Sequence, residues 1–231
     1  MSRRTMPATN APSDSLMLPL DGLDMPVVPD FRFERLYWRD GHRHVAGVDE
    51  AGRGPLAGPV VAAAVILDPE RVPDGLNDSK KLTAPVRERL HDEVMASALA
   101  VSVTGLCPES IDASDILRAS LTAMRLAVAG LAVAADSALF DGRDVPKGLT
   151  FPVPPKAVIK GDGRSLSIAA ASVVAKVTRD RMMMRLGPCH PHYGMERHMG
   201  YGSQAHRDAI RLHGGVRRIH RFSFSPLKLR P

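Results

Sequence analysis

The distribution of apolar positions after residue 43 predicts strands first, and then helices that alternate with further strands. Short apolar and β-prone runs at 44–48, 60–67 and 98–106 predict three strands, of which the first two should be neighbours in a sheet. Two further short runs, at 137–141 and 156–160, predict buried strands separated by a connection rich in proline and glycine. The pattern therefore predicts an α/β domain.

Apolar residues at helical spacing predict helices between and after these strands. One helix should cover 83–95 with Thr83 as its N-cap, and a second should run from about residue 110 or 113 to 129. A third, over 167–186, is rich in alanine and serine, which favours close packing against the sheet. A last helix is predicted over 203–213. The core-facing positions of the second helix should be Ile116, Leu117, Leu121, Met124 and Leu126.

The first 30 residues have a different composition, with prolines and polar residues that predict a flexible N-terminal extension. The remaining residues, 31–231, suffice for one catalytic domain. The extension lacks the apolar core of a secretory signal, and the apolar stretches elsewhere are too short to span a bilayer. With only Cys107 and Cys189 available for disulfides, we expect a cytoplasmic protein without a membrane partner. A formal net charge of +6 favours a polyanionic partner without identifying it.

Two adjacent acids, Asp49 and Glu50, follow the first predicted strand and precede a Gly-Arg-Gly turn. Adjacent carboxylates repel each other and lose hydration when partly buried, so a cation is expected beside them. Because strand side chains alternate between faces, both acids cannot line one site by alternation, and the chain is expected to turn at once. Gly52 and Gly54 would let backbone N–H groups approach a ligand, and Arg53 is a planar phosphate-binding group. The alternative is a solvated acidic hairpin with a structural turn.

Two more acids, Asp141 and Asp162, lie at the ends of predicted strands beside glycines. Acids in such positions can converge at one edge of a sheet, and four carboxylates suit Mg²⁺ or Mn²⁺. Two such ions can activate a water and stabilise the leaving oxygen in phosphodiester hydrolysis. Asp180 is an alternative to Asp162, but it lies on a predicted helix, where we expect an ion pair with a neighbouring arginine.

Seven sequence blocks stand out along the chain: DEAGRG at 49–54, NDSKKL at 77–82, FDG at 140–142, KGD at 160–162, SIAAASVVAKVTRDR at 167–181, GYGS at 200–203 and HRFSFSP at 220–226. Taken in order, they resemble the motifs of the type 2 ribonuclease H family, and most closely those of bacterial ribonuclease HII. The resemblance runs from about residue 45 to the C-terminus. It implies the ribonuclease H fold, a mixed five-stranded sheet flanked by helices, with a helical C-terminal portion.

The resemblance also implies an activity and the residues that carry it. Members of this family hydrolyse the RNA strand of RNA–DNA hybrids and cut 5′ of single ribonucleotides in duplex DNA, leaving a 3′-hydroxyl and a 5′-phosphate. Their catalysis uses two Mn²⁺ or Mg²⁺ ions held by acids at the positions of Asp49, Glu50, Asp141 and Asp162. The substrate-binding positions correspond to Gly52, Arg53 and Gly54, to Lys80 and Lys81 for the phosphate backbone, and to Tyr201.

Some positions depart from the family pattern, and other functions stay open. Met199 replaces a usual lysine and Phe222 a frequently basic residue, which affects expected backbone contacts more than the chemistry. The pair His220-Arg221 is expected to pack or to contact backbone. A histidine-rich stretch at 189–198 lacks the ligand spacing of structural zinc sites. The alternatives are a ribonuclease HIII-like enzyme, a noncatalytic nucleic-acid-binding module and a resolvase-like nuclease. A replication-associated partner such as a clamp cannot be derived from the sequence.

Overall fold

The computed structural model describes residues 28–228. Residues 1–27 of the predicted extension therefore lie outside the described residues. At Asp30 the chain is already fixed to the domain, because its N–H donates to the carbonyl of Arg164 and its own carbonyl accepts from the N–H of Leu166. No helix within residues 28–228 is both long and apolar enough to cross a membrane.

A single mixed sheet of five strands lies at the centre of the domain, in the order β3-β2-β1-β4-β5. Strands β1, β2 and β3 pair antiparallel, whereas β4 pairs parallel to β1, and β5 parallel to β4. The mixed five-stranded sheet predicted from the sequence is therefore confirmed. The strands are β1 (Val45–Ala51), β2 (Val60–Ile66), β3 (Ala100–Leu106), β4 (Ser137–Asp141) and β5 (Lys156–Val158).

Of the strand ends that differ from the prediction, two lie beside the candidate acids. Strand β1 continues past the predicted residue 48, because Asp49, Glu50 and Ala51 pair with residues of β2, and the predicted Gly-Arg-Gly turn follows directly after Ala51. Strand β5 ends at Val158, before the predicted residue 160, because Lys160 takes a left-handed conformation with φ of 54°. That residue leads into a short 3₁₀ turn, Gly161–Gly163.

Helices cover both faces of the sheet and form the C-terminal portion. The helices are α1 (Glu34–Arg39), α2 (Ala84–Ser97), α3 (Pro108–Asp112), α4 (Ile116–Ala129), α5 (Leu166–Leu186), α6 (Met195–His198) and α7 (Gln204–His213). Helix α5 packs on β1 and β2 with α2 beside it, and α4 covers the opposite face. Helices α6 and α7 follow α5 and confirm the predicted helical C-terminal portion.

The second predicted helix is wrong in two respects. It is divided into α3 and α4, because Asp115 is extended and its carboxylate accepts a hydrogen bond from the N–H of Arg118, which caps a new helix. Leu117 and Leu126, predicted to face the core, are 41% and 36% exposed. The small side chains of α4, such as Ala123, face the sheet instead.

Helix α5 approaches β1 unusually closely. A Cβ atom placed on Gly47 would lie 2.0 Å from the carbonyl carbon of Ser167, so a larger residue on this strand would displace the helix. The buried residues of α5 include Ala169, Ala170 and Ala171, which belong to one core cluster with residues of β2 and α2. The predicted role of this small-residue run in close packing is confirmed, and it brings the polar residues of α5 near the end of β1.

Candidate active site

Asp49 and Asp141 lie on the same face of neighbouring strands. Val48 on β1 is opposite Phe140 on the parallel strand β4, so the next residue on each strand is an acid. Gly47 contacts α5, and because strand side chains alternate, Asp49 shares that face whereas Glu50 lies on the face covered by α4. The parallel pairing of β1 and β4 thus brings together two acids that are far apart in sequence.

Asp162 joins these two acids from the 3₁₀ turn after β5. One carboxylate oxygen from each of Asp49, Asp141 and Asp162 lies within 4.8 Å of the others. The N–H of Gly161 donates to Asp141 across 2.7 Å, which couples the turn to the end of β4. We call Asp49, Asp141 and Asp162 the carboxylate cluster. The structure therefore brings together three of the four acids predicted to bind metal.

Glu50, the fourth predicted acid, lies beside this cluster but outside it. Its carboxylate accepts a hydrogen bond from Nη1 of Arg53 across 3.3 Å, and its side chain is only 10% exposed. Burial raises the pKa of Glu50, while the neighbouring charge of Arg53 opposes that rise. Arg53 therefore neutralises Glu50 in this arrangement, and the adjacent position of Glu50 on β1 keeps it near the end of the strand.

The carboxylate cluster is electrostatically unsatisfied. Burial raises the pKa of Asp49 well above its ordinary value, and the nearby charges of Asp141 and Glu50 raise it further. The pKa of Asp141 is also raised, first by burial and then by Asp162, against the hydrogen bond from Gly161. A group of buried oxygen ligands that repel one another fits a hard divalent cation, since the cation would relieve the repulsion.

Lys80 and Lys81 lie at the rim of the cluster. The Nζ of Lys80 is 3.3 Å from Asp162 and 3.7 Å from Asp78. Burial alone would lower the pKa of Lys80, but the charges of Asp162, Asp49 and Asp78 outweigh it and raise the pKa to about 12. Lys81 lines an adjoining cavity together with Asp162. Both lysines therefore present positive charge next to the acids.

One cavity of about 330 Å³ joins the acids to most of the predicted substrate-binding residues. Tyr201 is 46% exposed, and a Cβ on Gly54 would lie 3.8 Å from its ring. The turn and the tyrosine are therefore neighbours although they are far apart in sequence. The predicted residues that line this cavity are Asp49, Glu50, Gly52, Arg53, Gly54, Lys80, Asp141 and Tyr201.

Two polar residues of α5 line the same cavity and were not predicted from the sequence. Ser172 forms a hydrogen bond with Ser79 (Oγ to Oγ, 2.9 Å) and also bonds to Asp49, which lowers the pKa of that acid. Lys176 lines the cavity one helical turn later. Within the small and apolar stretch 168–177 of α5, a serine and a lysine four residues apart share one helix face, and this spacing is the signal that could have found them.

Asp180 does not form the ion pair that we expected. It pairs with Lys176, Nζ to Oδ1 at 2.7 Å, and not with a neighbouring arginine. The reason is helical spacing, since residues four apart are neighbours on α5. The two adjacent arginines are engaged elsewhere, because Arg181 binds Glu88 on α2 and Arg179 turns inward. Asp180 is therefore not a member of the carboxylate cluster.

Solved structures with a similar fold identify the class of this protein. The crystal structure of the ribonuclease H2 from Pyrococcus horikoshii OT3 is similar with a TM-score of 0.69 and 30% identity, covering 79% of this chain and 94% of that one. The PCNA:RNase HII complex from Archaeoglobus fulgidus is similar with a TM-score of 0.63 and 28% identity, covering 81% and 96%. The fold is therefore ribonuclease H-like, as the sequence motifs predict.

Sequence comparison then gives the particular family. Residues 46–226 match the family model described as Ribonuclease HII. The Ribonuclease HII of Chelativorans sp. (strain BNC1) is 62% identical over 205 residues, which cover 89% of this chain and 80% of that protein. The chain therefore belongs to the ribonuclease HII family of endoribonucleases.

Proposed function

We propose that this protein hydrolyses the RNA strand of RNA–DNA hybrids and cuts 5′ of single ribonucleotides in duplex DNA, leaving a 3′-hydroxyl and a 5′-phosphate. One observation carries the proposal: Asp49 and Asp141 of the carboxylate cluster line one cavity with the Gly-Arg-Gly turn and Tyr201, and Asp162, the third member, lines the adjoining cavity. The acids supply a site for phosphodiester hydrolysis, while the turn and the tyrosine supply groups that can recognise a sugar. Membership of the ribonuclease HII family supports this assignment.

The proposed metal ligands are the carboxylate cluster together with Glu50, for two Mn²⁺ or Mg²⁺ ions. The donor set consists of carboxylate oxygens, which these ions prefer. When bound, such ions polarise phosphoryl oxygens and make water a stronger nucleophile at neutral pH. In the protein alone, Lys80 partly balances the charge of Asp162, so an incoming cation would replace that contact.

Substrate choice requires a group that contacts the 2′-hydroxyl, because this group distinguishes a ribonucleotide within DNA. We assign this contact to Gly52, Arg53 and Gly54, where the backbone is accessible from the cavity. The half-exposed ring of Tyr201 is placed to stack on the adjacent sugar. The two lysines at the rim of the cluster would contact phosphates and would add salt-dependent affinity without base preference.

A cleavage assay on matched duplexes tests the activity. With Mn²⁺ or Mg²⁺, we expect the protein to cut a duplex that contains one ribonucleotide at its 5′ side and to leave the all-DNA duplex intact. Asp141→Asn should abolish cutting while the duplex still binds, because the variant removes a ligand charge and little volume. The exposed Asp144→Asn is the matched control and should keep wild-type turnover. Equal cutting of both duplexes would reject the specificity, and full activity of Asp141→Asn would remove that acid from the site.

Two variants of Tyr201 separate ring stacking from the hydroxyl group. Tyr201→Phe keeps the ring and should retain most of the cleavage of the single-ribonucleotide duplex, whereas Tyr201→Ala should lose about tenfold or more, because base or sugar stacking contributes ~1–3 kcal/mol. Binding of Mn²⁺, followed by thermal shift, should be unchanged in both variants. An alanine variant with wild-type cleavage would exclude Tyr201 from substrate recognition.

Partners and location complete the proposal. The similar ribonuclease HII from Archaeoglobus fulgidus was solved as a complex with PCNA. A replication-associated partner of this chain is a hypothesis that a binding assay with the purified clamp of its own organism would test. A cytoplasmic location stays a prediction, for which cell fractionation is the measurement.

A further inference from the structure

Two arginines are buried behind the Gly-Arg-Gly turn. Arg179 on α5 is 1% exposed, and Arg221 near the C-terminus is fully buried. Within residues 28–228, the hydrogen bonds of both guanidinium groups go to backbone carbonyl oxygens. Buried charges are normally paired with opposite charges, so carbonyl dipoles stabilise these two cations instead. A costly arrangement of this kind needs a reason.

Arg221 binds both ends of the loop that joins β1 to β2. Its Nη1 donates to the carbonyl of Arg53 across 3.0 Å and its Nη2 to the carbonyl of Gly52 across 2.6 Å. Its Nε and Nη2 also donate to the carbonyl of Gly58, at 3.0 and 2.9 Å. One planar side chain therefore holds the backbone of the turn at two successive peptide groups.

These hydrogen bonds determine the direction of the N–H groups in the turn. In a planar trans peptide the C=O and N–H bonds point in opposite directions. Because the carbonyls of Gly52 and Arg53 point to Arg221, the N–H groups of Arg53 and Gly54 must point away from it. Neither N–H donates a hydrogen bond to another group of residues 28–228, and both residues line the cavity of the carboxylate cluster. Two adjacent free N–H groups form a site for an electronegative ligand oxygen.

Arg179 connects the same loop to the segment that carries Tyr201. It donates to the carbonyls of Pro59 (3.0 Å) and Ala57 (3.1 Å), and across to the carbonyl of Met199 (3.0 Å). Its guanidinium carbon lies 5.9 Å from the centre of the Tyr201 ring. A Cβ on Gly52 would lie 2.1 Å from Nε of Arg179, so this arginine also requires a glycine at that position.

We propose that Arg221 and Arg179 are positioning residues, of which Arg221 aims the N–H groups of Arg53 and Gly54 into the cavity and Arg179 fixes Tyr201 against the turn. The identity of the ligand oxygen, a sugar hydroxyl or a phosphate of a ribonucleotide-containing duplex, rests on the proposed function. Burial, and then the nearby charge of Arg179, lower the pKa of Arg221 to about 9, so Arg221 stays charged at neutral pH. A fixed pair of donors needs no reorganisation when the substrate binds.

The test compares Arg221→Lys, which keeps the charge but loses the planar fork, with the exposed Arg217→Lys as its matched control. The first readout is hydrogen exchange in the metal-free protein. The N–H groups of Leu56 and Gly58 bond to the carbonyls of Gly200 (2.8 Å) and Ile219 (2.7 Å), so their exchange reports the order of the loop. We expect exchange there to be about tenfold faster in Arg221→Lys, with α2 unchanged, because opening is local.

The second readout is single-turnover cleavage of the single-ribonucleotide duplex. The cleavage rate of Arg221→Lys should be lower by about tenfold or more, which is the loss expected when hydrogen-bond donors are misaligned. The Mn²⁺ concentration at the midpoint of the thermal-shift titration should be unchanged. If Arg221→Lys fails to fold, Arg179→Lys takes its place, with the same expected results. Its matched control is then Arg185→Lys, at an exposed position on the same helix. Loop exchange or cleavage within twofold of the control would overturn the positioning role. If the wild-type protein does not cut the duplex, the proposed function fails, and the exchange readout alone decides whether the arginines hold the turn.

Discussion

Replacement of Asp49 by asparagine should stabilise the metal-free protein while it abolishes activity. In the carboxylate cluster, oxygens of Asp49, Asp141 and Asp162 lie within 4.8 Å of one another. At an effective dielectric constant of about 20, each such pair of charges costs about 3 kcal/mol. Proton uptake and Lys80 reduce this cost, so we expect a net gain of about 1–3 kcal/mol. The amide oxygen of the introduced side chain could still accept the 2.7 Å hydrogen bond that Asp49 receives from the N–H of Glu50.

The pH dependence of this gain has a defined sign. Burial and then Asp141 raise the pKa of Asp49 in the folded state. When the pKa of an acid is higher in the folded state than in the unfolded state, the acid does not change the free energy of unfolding at a pH below its unfolded-state pKa. It lowers that free energy as the pH rises through its folded-state pKa. The difference between Asp49→Asn and the wild type should therefore be small at about pH 4, near the ordinary value, and should increase toward neutral pH.

Thermal unfolding in EDTA, measured from acid to neutral pH, is the assay. For a protein of this size 1 kcal/mol corresponds to ~2–4 °C, so Tm at neutral pH should rise by ~2–12 °C. Excess Mn²⁺ should raise the Tm of the wild type and leave Asp49→Asn unchanged, since ligand binding stabilises the folded state only where a site exists. Asp144→Asn, with its exposed carboxylate, should behave as the wild type in both respects. A metal-free Asp49→Asn that melts below the wild type at neutral pH would refute the repulsion argument.

Three further changes test the surrounding structure. Gly47→Ala places a Cβ 2.0 Å from the backbone of α5, so it should lower the free energy of unfolding in urea by about 3 kcal/mol. A Cβ at Gly163 meets no atom within 4 Å, so the control Gly163→Ala should change that free energy by less than about 0.5 kcal/mol. Equal effects of the two variants would contradict the close packing of α5. Burial lowers the pKa of His220 to about 4, so about 3 kcal/mol of stability, present above pH 6.5, should be lost as the pH falls toward 4. His220→Gln should flatten that profile, and an unchanged acid profile would exclude His220 as its cause. Ser172→Ala removes a hydrogen bond to Asp49, so the Mn²⁺ midpoint should rise severalfold; an unchanged midpoint would show that the serine only packs.

The strands and the convergence of acids could be predicted because both depend on short-range patterns. The run 60–67 is apolar at every position and corresponds to β2, all of whose side chains are buried. Asp141 and Asp162 are predicted to share one sheet edge because each follows a predicted strand. The opposite faces of Asp49 and Glu50 follow from alternation along β1. Each of these inferences uses only neighbouring residues and the geometry of a strand.

The errors arise where a local preference competes with a contact that the sequence does not display. The β-prone run predicts a first strand that ends at residue 48, but pairing with β2 extends β1 to Ala51. Apolar spacing predicts a helix that continues through Asp115. In the structure the helix is interrupted there, because Asp115 caps the N-terminus of α4. Arg221 contacts backbone, as predicted, but the carbonyls of Gly52 and Gly58 lie more than 160 positions away in sequence, so these partners could not be assigned before the fold was known.

The two sides of the cavity use opposite electrostatic arrangements. The carboxylate cluster keeps like charges together, which favours a mobile, open site until a cation enters. The turn opposite has the carbonyls of Gly52 and Arg53 bound by one buried cation, Arg221, so its N–H groups stay in place without a ligand. A substrate that carries both a phosphate and a sugar hydroxyl would contact two different surfaces of this cavity. On one side the acids would be ordered by bound metal, and on the other side the N–H groups of the turn are already in place. Loss of the metal should therefore leave recognition of the turn side intact, so a ribonucleotide-containing duplex should bind more tightly than an all-DNA duplex even in EDTA. Equal affinities for the two duplexes in EDTA would show that the turn does not recognise the sugar by itself.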